Sequence, residues 1–492
     1  MKRALSPLSD NVFDLAIIGG GILGAGVARD AAMRGLSVAL VEKGDFAGGT
    51  SSRSTKLIHG GLRYLEQFSL GLVAESCRER SILLDMAPHL VTPLSFLLPA
   101  YAGDPRSLAM LRLGTTLYDW ITPRRHAATP RHRTLSAAET ATAEPCLPSE
   151  HLHGSVLFYD CQMDDARLCL ETILDACRHG AVCRNYVEVT GFRRSWDRIE
   201  ALQVVDVLQG DSFDVRARCY VNATGPWIER VSQLSSGNAA RIALSPTKGV
   251  HLVIPRINHE HGIYFQSRRD RRMIFLLPWG DDSLLGTTDT RFDKVADKVR
   301  PEMEDVEYLL DQLRSLAPSH AIQVDDVLTS FAGVRALIHS KRNPSRRSRE
   351  EQIVASGDNL LAVAGGKYTT FRAISDQVVR RVYRMLGQRA GKCRTAEAGL
   401  PNLRPAASGA LLSQSPKVCE SDIAFACSEE MGVTVEDVMR RRTRLALSRH
   451  GGVEVASPVS HIMAKSLGWT DGTREAYLAQ YLRGWKQNKP WE

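Results

Sequence analysis

Three glycines with a fixed spacing, Gly19, Gly21 and Gly24, are followed about 20 residues later by an acidic residue, Glu42. The first glycine permits a tight turn, the second lets the backbone approach a pyrophosphate, and the third lets a helix pack closely on a strand. The free N–H groups of that helix would bind the pyrophosphate, and the Glu42 carboxylate would accept a ribose hydroxyl. These four residues predict a dinucleotide site, and hence redox chemistry by a bound cofactor.

The segments around these residues have the order that such a site requires. An apolar run at 15–18 leads into the glycine turn, a helix-like run covers 25–35, and a second apolar run at 36–41 ends at Glu42. This is the strand–turn–helix–strand order of a dinucleotide-binding fold. The alternative, a glycine-rich turn that binds nothing, stays open because glycine spacing alone is a weak signal.

Two further turns rich in small residues follow strand-like segments, one at 223–227, which contains Gly225, and one at 364–372. Ligands of a doubly wound sheet gather at the carboxyl ends of its strands, so three such turns can meet over one long cofactor. We therefore predict FAD rather than a freely exchanging NAD. The last turn opens a helix, whose positive end would face the N1–C2 carbonyl edge of the flavin and stabilise its anionic reduced form.

Composition indicates a soluble globular protein with more than one lobe. The chain has 492 residues, of which 43% are hydrophobic and 24% are charged. Residues 1–11 lack the apolar core of a signal peptide, and no apolar run is long enough to span a membrane. The ten cysteines form no CxxC pair and no zinc-like cluster. We therefore expect reduced thiols, no metal site and a cytoplasmic protein.

The net charge of +8 is concentrated in basic stretches at 123–133, 268–272 and 341–349. A solvated surface is the ordinary explanation for such stretches. An anionic substrate, an anionic membrane surface and nucleic acid are the alternatives. Because no interleaved aromatic residues accompany the basic stretches, nucleic acid ranks last and we expect no nucleic-acid partner.

The order of the predicted elements indicates an α/β protein. We predict a Rossmann-type FAD-binding domain, an inserted substrate domain with an antiparallel sheet, and a small α-helical C-terminal domain. The FAD-binding core spans 10–395 and is built from approximately 10–92, 151–240 and 345–390, with the substrate domain inserted at 93–150 and 241–344. A linker rich in Pro, Ala and Ser follows at 396–415, and a helical cap with a charged hinge at 439–452 follows at 416–492.

Further motifs occur in a fixed order between residues 15 and 372. They are GTSSRSTKLIHGGLRYLEQF, DDARL, NATGPW, TKGVHLV, GTTD, GVR and GGKYTTFR. In these motifs the chain resembles the FAD-dependent glycerol-3-phosphate dehydrogenases of the aerobic, quinone-linked kind. The resemblance implies oxidation of sn-glycerol 3-phosphate to dihydroxyacetone phosphate, hydride transfer to flavin N5, and passage of the electrons to a membrane quinone.

The resemblance also implies a set of cofactor-binding residues. Besides the glycine turn and Glu42, they are Thr50, Ser51, Ser52, Val187, Gly225, Gly366, Lys367, Thr369 and Thr370. The segment 50–52 matches positions near the pyrophosphate and the ribityl chain, and Val187 matches a backbone contact to adenine. The segment 366–370 matches the turn near the pyrimidine end of the flavin.

An active site is implied in the same way. Catalytic positions are matched by His59, Arg335 and Lys367, and positions around the substrate are matched by Arg63, Tyr64, His251 and Arg349. These residue types suit the reaction, since an imidazole accepts a hydroxyl proton near neutral pH and arginine binds a phosphate bidentately. Lys367 would also stabilise a developing alkoxide.

Other roles remain open for several of these residues. His59 could have a structural role in its glycine turn, and His251 could be a core histidine with satisfied hydrogen bonds. Arg349 could be a solvated loop residue. Asp289, in the GTTD motif, is expected to brace a turn.

The chain also departs from its family. The resembling oxidases carry a long insertion between the GVR and GGK motifs, and its absence here favours a dehydrogenase. The C-terminal part is shorter than usual and lacks a Tyr-Gly segment before residue 419. The family implies peripheral attachment to the cytoplasmic face of the inner membrane and leaves a homodimer open. A glycerol-3-phosphate oxidase that uses O2, and a related FAD oxidoreductase for a 2-hydroxy acid or an amine, are the alternative functions.

Overall fold

The computed structural model describes residues 3–123, 129–196, 198–234, 242–339, 351–356 and 359–492. Its helices are α1 (Ser6–Asp10), α2 (Ile22–Met33), α3 (Leu70–Met86), α4 (Leu108–Ile121), α5 (Ala137–Ala143), α6 (Asp165–Arg178), α7 (Ile228–Gln233), α8 (Met303–Leu316), α9 (Phe371–Met385), α10 (Glu420–Ser428), α11 (Val453–Leu467) and α12 (Asp471–Lys486).

The strands are β1 (Val12–Ile18), β2 (Val38–Val41), β3 (Leu57–Ile58), β4 (Val91–Tyr101), β5 (Arg133–Leu135), β6 (Leu152–Met163), β7 (Val182–Arg184), β8 (Val187–Ser195), β9 (Arg198–Asp206), β10 (Ser212–Asn222), β11 (Thr247–Pro255), β12 (Gly262–Gln266), β13 (Met273–Trp279), β14 (Asp282–Gly286), β15 (Thr290–Arg291), β16 (Thr329–Arg335), β17 (Gln352–Ser356), β18 (Leu360–Ala364), β19 (Leu411–Gln414) and β20 (Lys417–Cys419).

The first sheet is built on parallel strands in the order β18–β10–β1–β2–β7. β17 pairs antiparallel with β18, and the β8–β9 hairpin extends from β10. Because these strands are parallel, their carboxyl ends meet at one edge. The glycine turn follows β1, Glu42 follows β2, and the other two predicted turns follow β10 and β18. The predicted Rossmann-type architecture is confirmed.

Alternate side chains of β1 enter two different cores. Leu15 and Ile17 pack in the core that contains α2, α6 and α9, whereas Ala16 and Ile18 pack in the core that contains the β8–β9 hairpin. A strand covered on both faces is apolar along its length, which is why residues 15–18 form an uninterrupted apolar run. This burial fixes the end of β1, and with it the glycine turn.

The second sheet is antiparallel except for the β12–β4 pair, and its order is β15–β11–β14–β13–β12–β4–β6–β3, with β16 beside β11 and β5 beside β6. β6 pairs with β4 over the whole of β4. It therefore lies in the second sheet, although residues 151–240 were assigned to the FAD-binding core. The long antiparallel pairing with β4, and not the position of β6 in the sequence, decides which sheet β6 joins. The domain boundaries themselves stay a prediction.

The C-terminal part is helical, as predicted, and contains α10, α11, α12 and a π-helical segment, Asp437–Arg442. β19 pairs antiparallel with β20. This hairpin crosses the predicted boundary between the linker and the cap at 415/416. The amino-acid composition of the linker gave no sign of the hairpin.

The prediction of a charged hinge at 439–452 is wrong. Arg441 and Arg442 are buried, and both bind the carboxylate of Asp45, Arg441 through Nε at 2.5 Å and Arg442 through Nη2 at 2.8 Å. Arg441 Nη2 also donates to Asp437 Oδ1 at 2.7 Å. Burial alone would raise the pKa of Asp45, but the guanidiniums of Arg442 and Arg441 outweigh it and hold the pKa below its ordinary value. These ion pairs attach the C-terminal domain to the loop that follows β2.

Candidate functional site

A cavity of about 860 Å³ lies at the carboxyl edge of the first sheet and extends to the second. It brings together most of the predicted site residues: Gly19, Gly21, Glu42, Thr50, Ser51, His59, Arg63, Tyr64, Val187, Gly225, His251, Arg335, Gly366, Lys367 and Thr369. Gly24, Ser52 and Thr370 are buried but do not line the cavity. Arg349 lies outside the described residues.

The glycine turn joins β1 to α2 by a very close approach. Gly19 has φ +109°, a conformation that side chains disfavour, and a Cβ on Gly24 would lie 1.9 Å from Gly19 O. Gly21 caps α2 and lines the cavity, and Ser51 Oγ accepts from Ile22 N at 2.9 Å. The N-terminus of α2 therefore presents its positive end to the cavity, which suits a pyrophosphate.

The Glu42 carboxylate is held by backbone N–H groups on both oxygens. Oε2 accepts from Gly20 N at 2.7 Å and Oε1 accepts from Gly44 N at 2.9 Å. Burial raises the pKa of Glu42, and these two hydrogen bonds oppose that shift. Val187 N donates to Glu42 O at 2.8 Å, so the two residues predicted for the adenosine end are joined directly. Each carboxylate oxygen keeps a further lone pair for a ribose hydroxyl.

The turn after β18 is bonded to the segment that carries His59. Gly365 and Gly366 have φ +76° and +80°, which turns the chain toward α9. Thr369 Oγ1 accepts from His59 N at 3.3 Å and donates to His59 O at 3.4 Å. This double contact fixes the backbone of His59 against the N-terminal end of α9.

Two cations flank the ring of Tyr64. The buried ammonium of Lys367 lies 4.0 Å from the ring centroid, and Arg63 Cζ lies 5.5 Å from it. Lys367 Nζ also donates to Ser76 Oγ of α3 at 3.1 Å. Burial opposes the charge of Arg63, but the Tyr264 and Tyr64 phenols outweigh it and the pKa of Arg63 is raised. Arg63 therefore keeps its charge at neutral pH, and Arg63 and Lys367 line the same cavity.

A third cation, Arg335, is oriented by a fork of hydrogen bonds. Nη1 donates to Asp289 Oδ1 at 2.9 Å, Nη2 donates to Thr287 Oγ1 at 2.9 Å, and both donate to Thr288 O at 3.2 Å. A Cβ on Gly249 would lie 2.4 Å from Nη2, so β11 leaves room for the guanidinium. Asp289, which was expected to brace a turn, is an ion-pair partner of Arg335.

His251 is buried at the cavity wall as a neutral imidazole. Its Nε2 lies 3.1 Å from Thr55 Oγ1, and its ring stacks on Phe331 with the centroids 4.9 Å apart. Nδ1 is buried without a hydrogen-bond partner among the described residues. Burial, followed by the charges of Arg335 and Lys56, lowers the pKa of His251 well below 6.5. Protonation of His251 is therefore coupled to unfolding.

We expect the His251→Gln variant to lose less stability in acid than the wild type. The unfolded chain takes up a proton at His251 below pH 6.5 and the folded chain does not, so this histidine lowers the free energy of unfolding as the pH falls. The contribution is at most about 1.4 kcal/mol per pH unit. Urea unfolding at pH 7.5 and pH 5 measures it, with exposed His153→Gln as the control. Equal pH dependence in the wild type and His251→Gln would contradict the buried neutral state.

Several cavity residues were not predicted from the sequence. Arg53 follows the predicted segment 50–52 directly, so its place in the same motif was the available signal. Trp227 lies in the NATGPW motif and donates from Nε1 to Asp297 Oδ2 at 3.1 Å. Ser76, which binds Lys367 but does not line the cavity, gave no signal, because only the packing of α3 brings it there.

The site combines an anion-binding helix N-terminus, an acidic acceptor for ribose and a group of cations on one cavity. On a parallel sheet with a topological switch at β1, these features define a dinucleotide-binding oxidoreductase.

Known proteins extend this assignment. Residues 14–372 match the FAD dependent oxidoreductase family model, and residues 351–474 match the C-terminal domain of alpha-glycerophosphate oxidase. An aerobic glycerol-3-phosphate dehydrogenase of Staphylococcus aureus (strain USA300) is 39% identical over 385 residues, which are 77% of this chain and 68% of the relative.

Solved structures give the same result. The glycerol-3-phosphate dehydrogenase from Bacillus halodurans complexed with FAD has a TM-score of 0.79 at 27% identity, covering 99% of this chain and 97% of that one. The L-alpha-glycerophosphate oxidase from Mycoplasma pneumoniae with FAD bound has a TM-score of 0.60 at 16% identity, covering 80% and 99%, which supports the fold alone.

The chain belongs to the FAD-dependent oxidoreductase family and, within it, to the aerobic glycerol-3-phosphate dehydrogenases. The predicted family and the predicted FAD cofactor are confirmed. The residues present also fit FAD, since Gly21 lines the cavity at the start of α2 and has no side chain to fill the space of a pyrophosphate.

Proposed function

We propose that the protein oxidises sn-glycerol 3-phosphate to dihydroxyacetone phosphate with FAD as its cofactor. The observation that carries the proposal is the placement of three cations, Arg63, Arg335 and Lys367, on the cavity that also contains the glycine turn. A phosphate monoester requires fixed cations, and the carbon to be oxidised must lie close to the oxidant. The Staphylococcus relative and the Bacillus structure are both named for this substrate.

In this proposal Arg335 and Arg63 bind the phosphate group. The hydrogen-bond fork on Arg335 fixes the plane of its guanidinium, so little side-chain entropy is lost when it binds two phosphate oxygens. Arg63 and Lys367 both contact the ring of Tyr64, which helps to position the two cations. Arg349 remains a proposed further phosphate ligand.

In the same proposal His59 accepts the proton of the reacting hydroxyl, and Lys367 stabilises the negative charge on its oxygen. We assign His59 as the acceptor of the C2 hydroxyl proton, because Thr369 fixes its backbone at the turn predicted to lie beside the flavin. The ammonium of Lys367 stabilises the negative charge that develops on the same oxygen. FAD, when bound, accepts the hydrogen and the two electrons that leave C2. His251 is assigned to the substrate side of the cavity wall, where it stays neutral.

Anaerobic reduction of the flavin tests this function. Mixing the FAD-loaded protein with sn-glycerol 3-phosphate is expected to bleach the visible absorbance of oxidised flavin. In Arg335→Met, half-saturation should require about 10- to 100-fold more substrate, because a charge-assisted contact is lost. Arg291→Met is the matched control, since Arg291 forms an exposed ion pair with Asp293. Bleaching by a 2-hydroxy acid or an amine, and not by the phosphoester, would overturn the substrate assignment.

We also propose that a membrane quinone accepts the electrons. The support comes from α4, which exposes Met110, Leu113, Leu117 and Trp120 along one face beside exposed Phe68. Trp120 is 84% exposed and Phe68 is 88% exposed, which is unusual for side chains of this size. No helix in the described part of the chain is long and apolar enough to cross a bilayer. An exposed apolar face of this kind suits a helix lying in the membrane surface.

Basic residues border the same face of α4. Arg112 lies on the helix, and Arg131 and Arg133 flank His132, which bonds to Asp119 of α4. Each cation near an anionic surface contributes about 1 kcal/mol to membrane binding. The α4 face therefore supports peripheral attachment close to the segment that carries Arg63 and Tyr64.

We expect Trp120→Ser to weaken binding to anionic lipid vesicles. The loss should be about 10- to 100-fold, because burying one large aromatic side chain contributes about 1.5–3 kcal/mol. Co-sedimentation at low salt measures it. Trp196→Ser is the control, since Trp196 is 97% exposed at the β8–β9 turn of the other sheet. Equal losses in the two variants would contradict attachment through α4.

A separate measurement tests the electron acceptor. Rapid formation of peroxide by the FAD-loaded protein with substrate, in the absence of quinone, would favour the oxidase alternative.

A further inference from the structure

Arg53 lines the cavity and is not one of the cofactor or substrate residues assigned above. Its Nη1 donates to Ala332 O at 3.2 Å. Among the described residues it forms no ion pair with a carboxylate and no other hydrogen bond from its side chain. A guanidinium carries five N–H donors, so most of the donors of Arg53 have no acceptor in the described part of the chain.

The charges around Arg53 are mainly positive. Burial and the nearby guanidiniums of Arg440 and Arg441, opposed by Glu436, together lower the pKa of Arg53 to about 10. Glu436 is itself bound by Arg440 Nε at 2.6 Å, and Arg441 is held by Asp45 and Asp437. Glu436 and Arg441 also line the cavity. The carboxylates nearest to Arg53 are therefore already paired with other cations.

Arg53 lies between the segment predicted to bind the cofactor and the strand that carries the proposed substrate residue Arg335. It directly follows the segment Thr50–Ser52, which is predicted to lie near the diphosphate of FAD. A Cβ on Gly333 would lie 2.9 Å from Arg53 Cβ, so Arg53 also packs on β16, the strand that ends at Arg335. The same side chain thus lies next to a cofactor segment and next to a substrate strand.

We propose that Arg53 binds a phosphate group inside the cavity. The inference rests on the proposed function, which brings two kinds of phosphate there, the diphosphate of FAD and the phosphoester of the substrate. A partly buried cation without a counter-ion is costly, and an arriving phosphate supplies both the charge and the acceptors that the guanidinium lacks. The guanidinium of Arg53 is then an anion-binding site, and its charge and hydrogen bonds are balanced only when the phosphate is bound.

Equilibrium binding separates the two sources of phosphate. In Arg53→Met, either the dissociation constant of FAD for the cofactor-free protein or the half-saturation for sn-glycerol 3-phosphate should rise about 10- to 100-fold. The first is measured by quenching of flavin fluorescence, and the second by anaerobic flavin reduction. A rise in the first identifies the diphosphate as the ligand, and a rise in the second identifies the substrate. Arg53→Lys keeps the charge and should show a smaller loss.

Arg216→Met is the matched control, because Arg216 also donates to a backbone carbonyl, Ser9 O, but is exposed and does not line the cavity. Urea unfolding without FAD should show Arg53→Met to be at least as stable as the wild type, since an uncompensated charge is removed. Changes in both binding constants below about twofold would overturn the proposal. Equal destabilisation with and without FAD would also overturn it. If the wild type binds FAD but is not reduced by the phosphoester, the proposed function fails while the FAD measurement still decides on Arg53.

Discussion

The Gly24→Ala variant is expected to bind FAD about 100-fold more weakly than the wild type. The new Cβ would lie 1.9 Å from Gly19 O, and because both atoms belong to the turn that positions the start of α2, the turn must move. Overpacking of this kind costs about 3 kcal/mol, and it would displace the N–H groups that we propose bind the pyrophosphate. Titration of the cofactor-free protein with FAD measures the effect.

Gly114→Ala is the matched control for this substitution. Gly114 lies within α4, and a Cβ there meets nothing within 4 Å. Alanine is the better helix former, so the control should fold and bind FAD normally, with a gain in stability of up to about 1 kcal/mol. Normal FAD binding by Gly24→Ala would contradict the close approach of α2 to β1.

The Asp45→Asn variant is expected to lose about 3–5 kcal/mol of the free energy of unfolding. Asp45 binds two guanidiniums, and replacing its charge leaves Arg441 and Arg442 buried with too little compensation. Denaturant unfolding followed by tryptophan fluorescence measures the loss. Because Asp45 lies in the loop after Glu42, affinity for FAD should fall together with stability.

Asp293→Asn is the control variant for the stability loss expected in Asp45→Asn. Asp293 pairs with Arg291 where both side chains are exposed, so its removal should change stability by less than about 1 kcal/mol. Similar losses in the two variants would mean that the contact between the C-terminal domain and the loop after β2 contributes little.

The cofactor half of the site could be predicted because its requirements are local. A tight turn needs glycine at Gly19, a close helix contact needs it at Gly24, and the acidic residue must end the next strand. Each requirement involves residues within one βαβ unit, so sequence spacing is enough to identify it. The cations of the proposed substrate half came from a family resemblance, and the structure places three of them, Arg63, Arg335 and Lys367, on the same cavity.

Long-range electrostatics could not be predicted in this way. Three successive arginines at 440–442 are typical of a solvated surface, yet Arg441 binds Asp45, which is 396 residues away in the sequence. The neutral state of His251 likewise depends on burial, which includes its contact with Phe331, and on the charges of Arg335 and Lys56, all from other segments. Spacing carries no information about such partners, because packing of whole domains brings them together.

The strand order of the first sheet has a consequence for biosynthesis. Val12 of β1 pairs with Arg216 of β10, and Tyr220 of β10 pairs with Leu360 of β18. The glycine turn is among the first segments to leave the ribosome, but its neighbouring strands emerge much later. Contacts of such long sequence separation form slowly and leave strand edges unprotected in the meantime. Nascent chains should therefore need chaperones. The vitamin-derived cofactor should bind only after the ribosome has synthesised β18, which ends at Ala364.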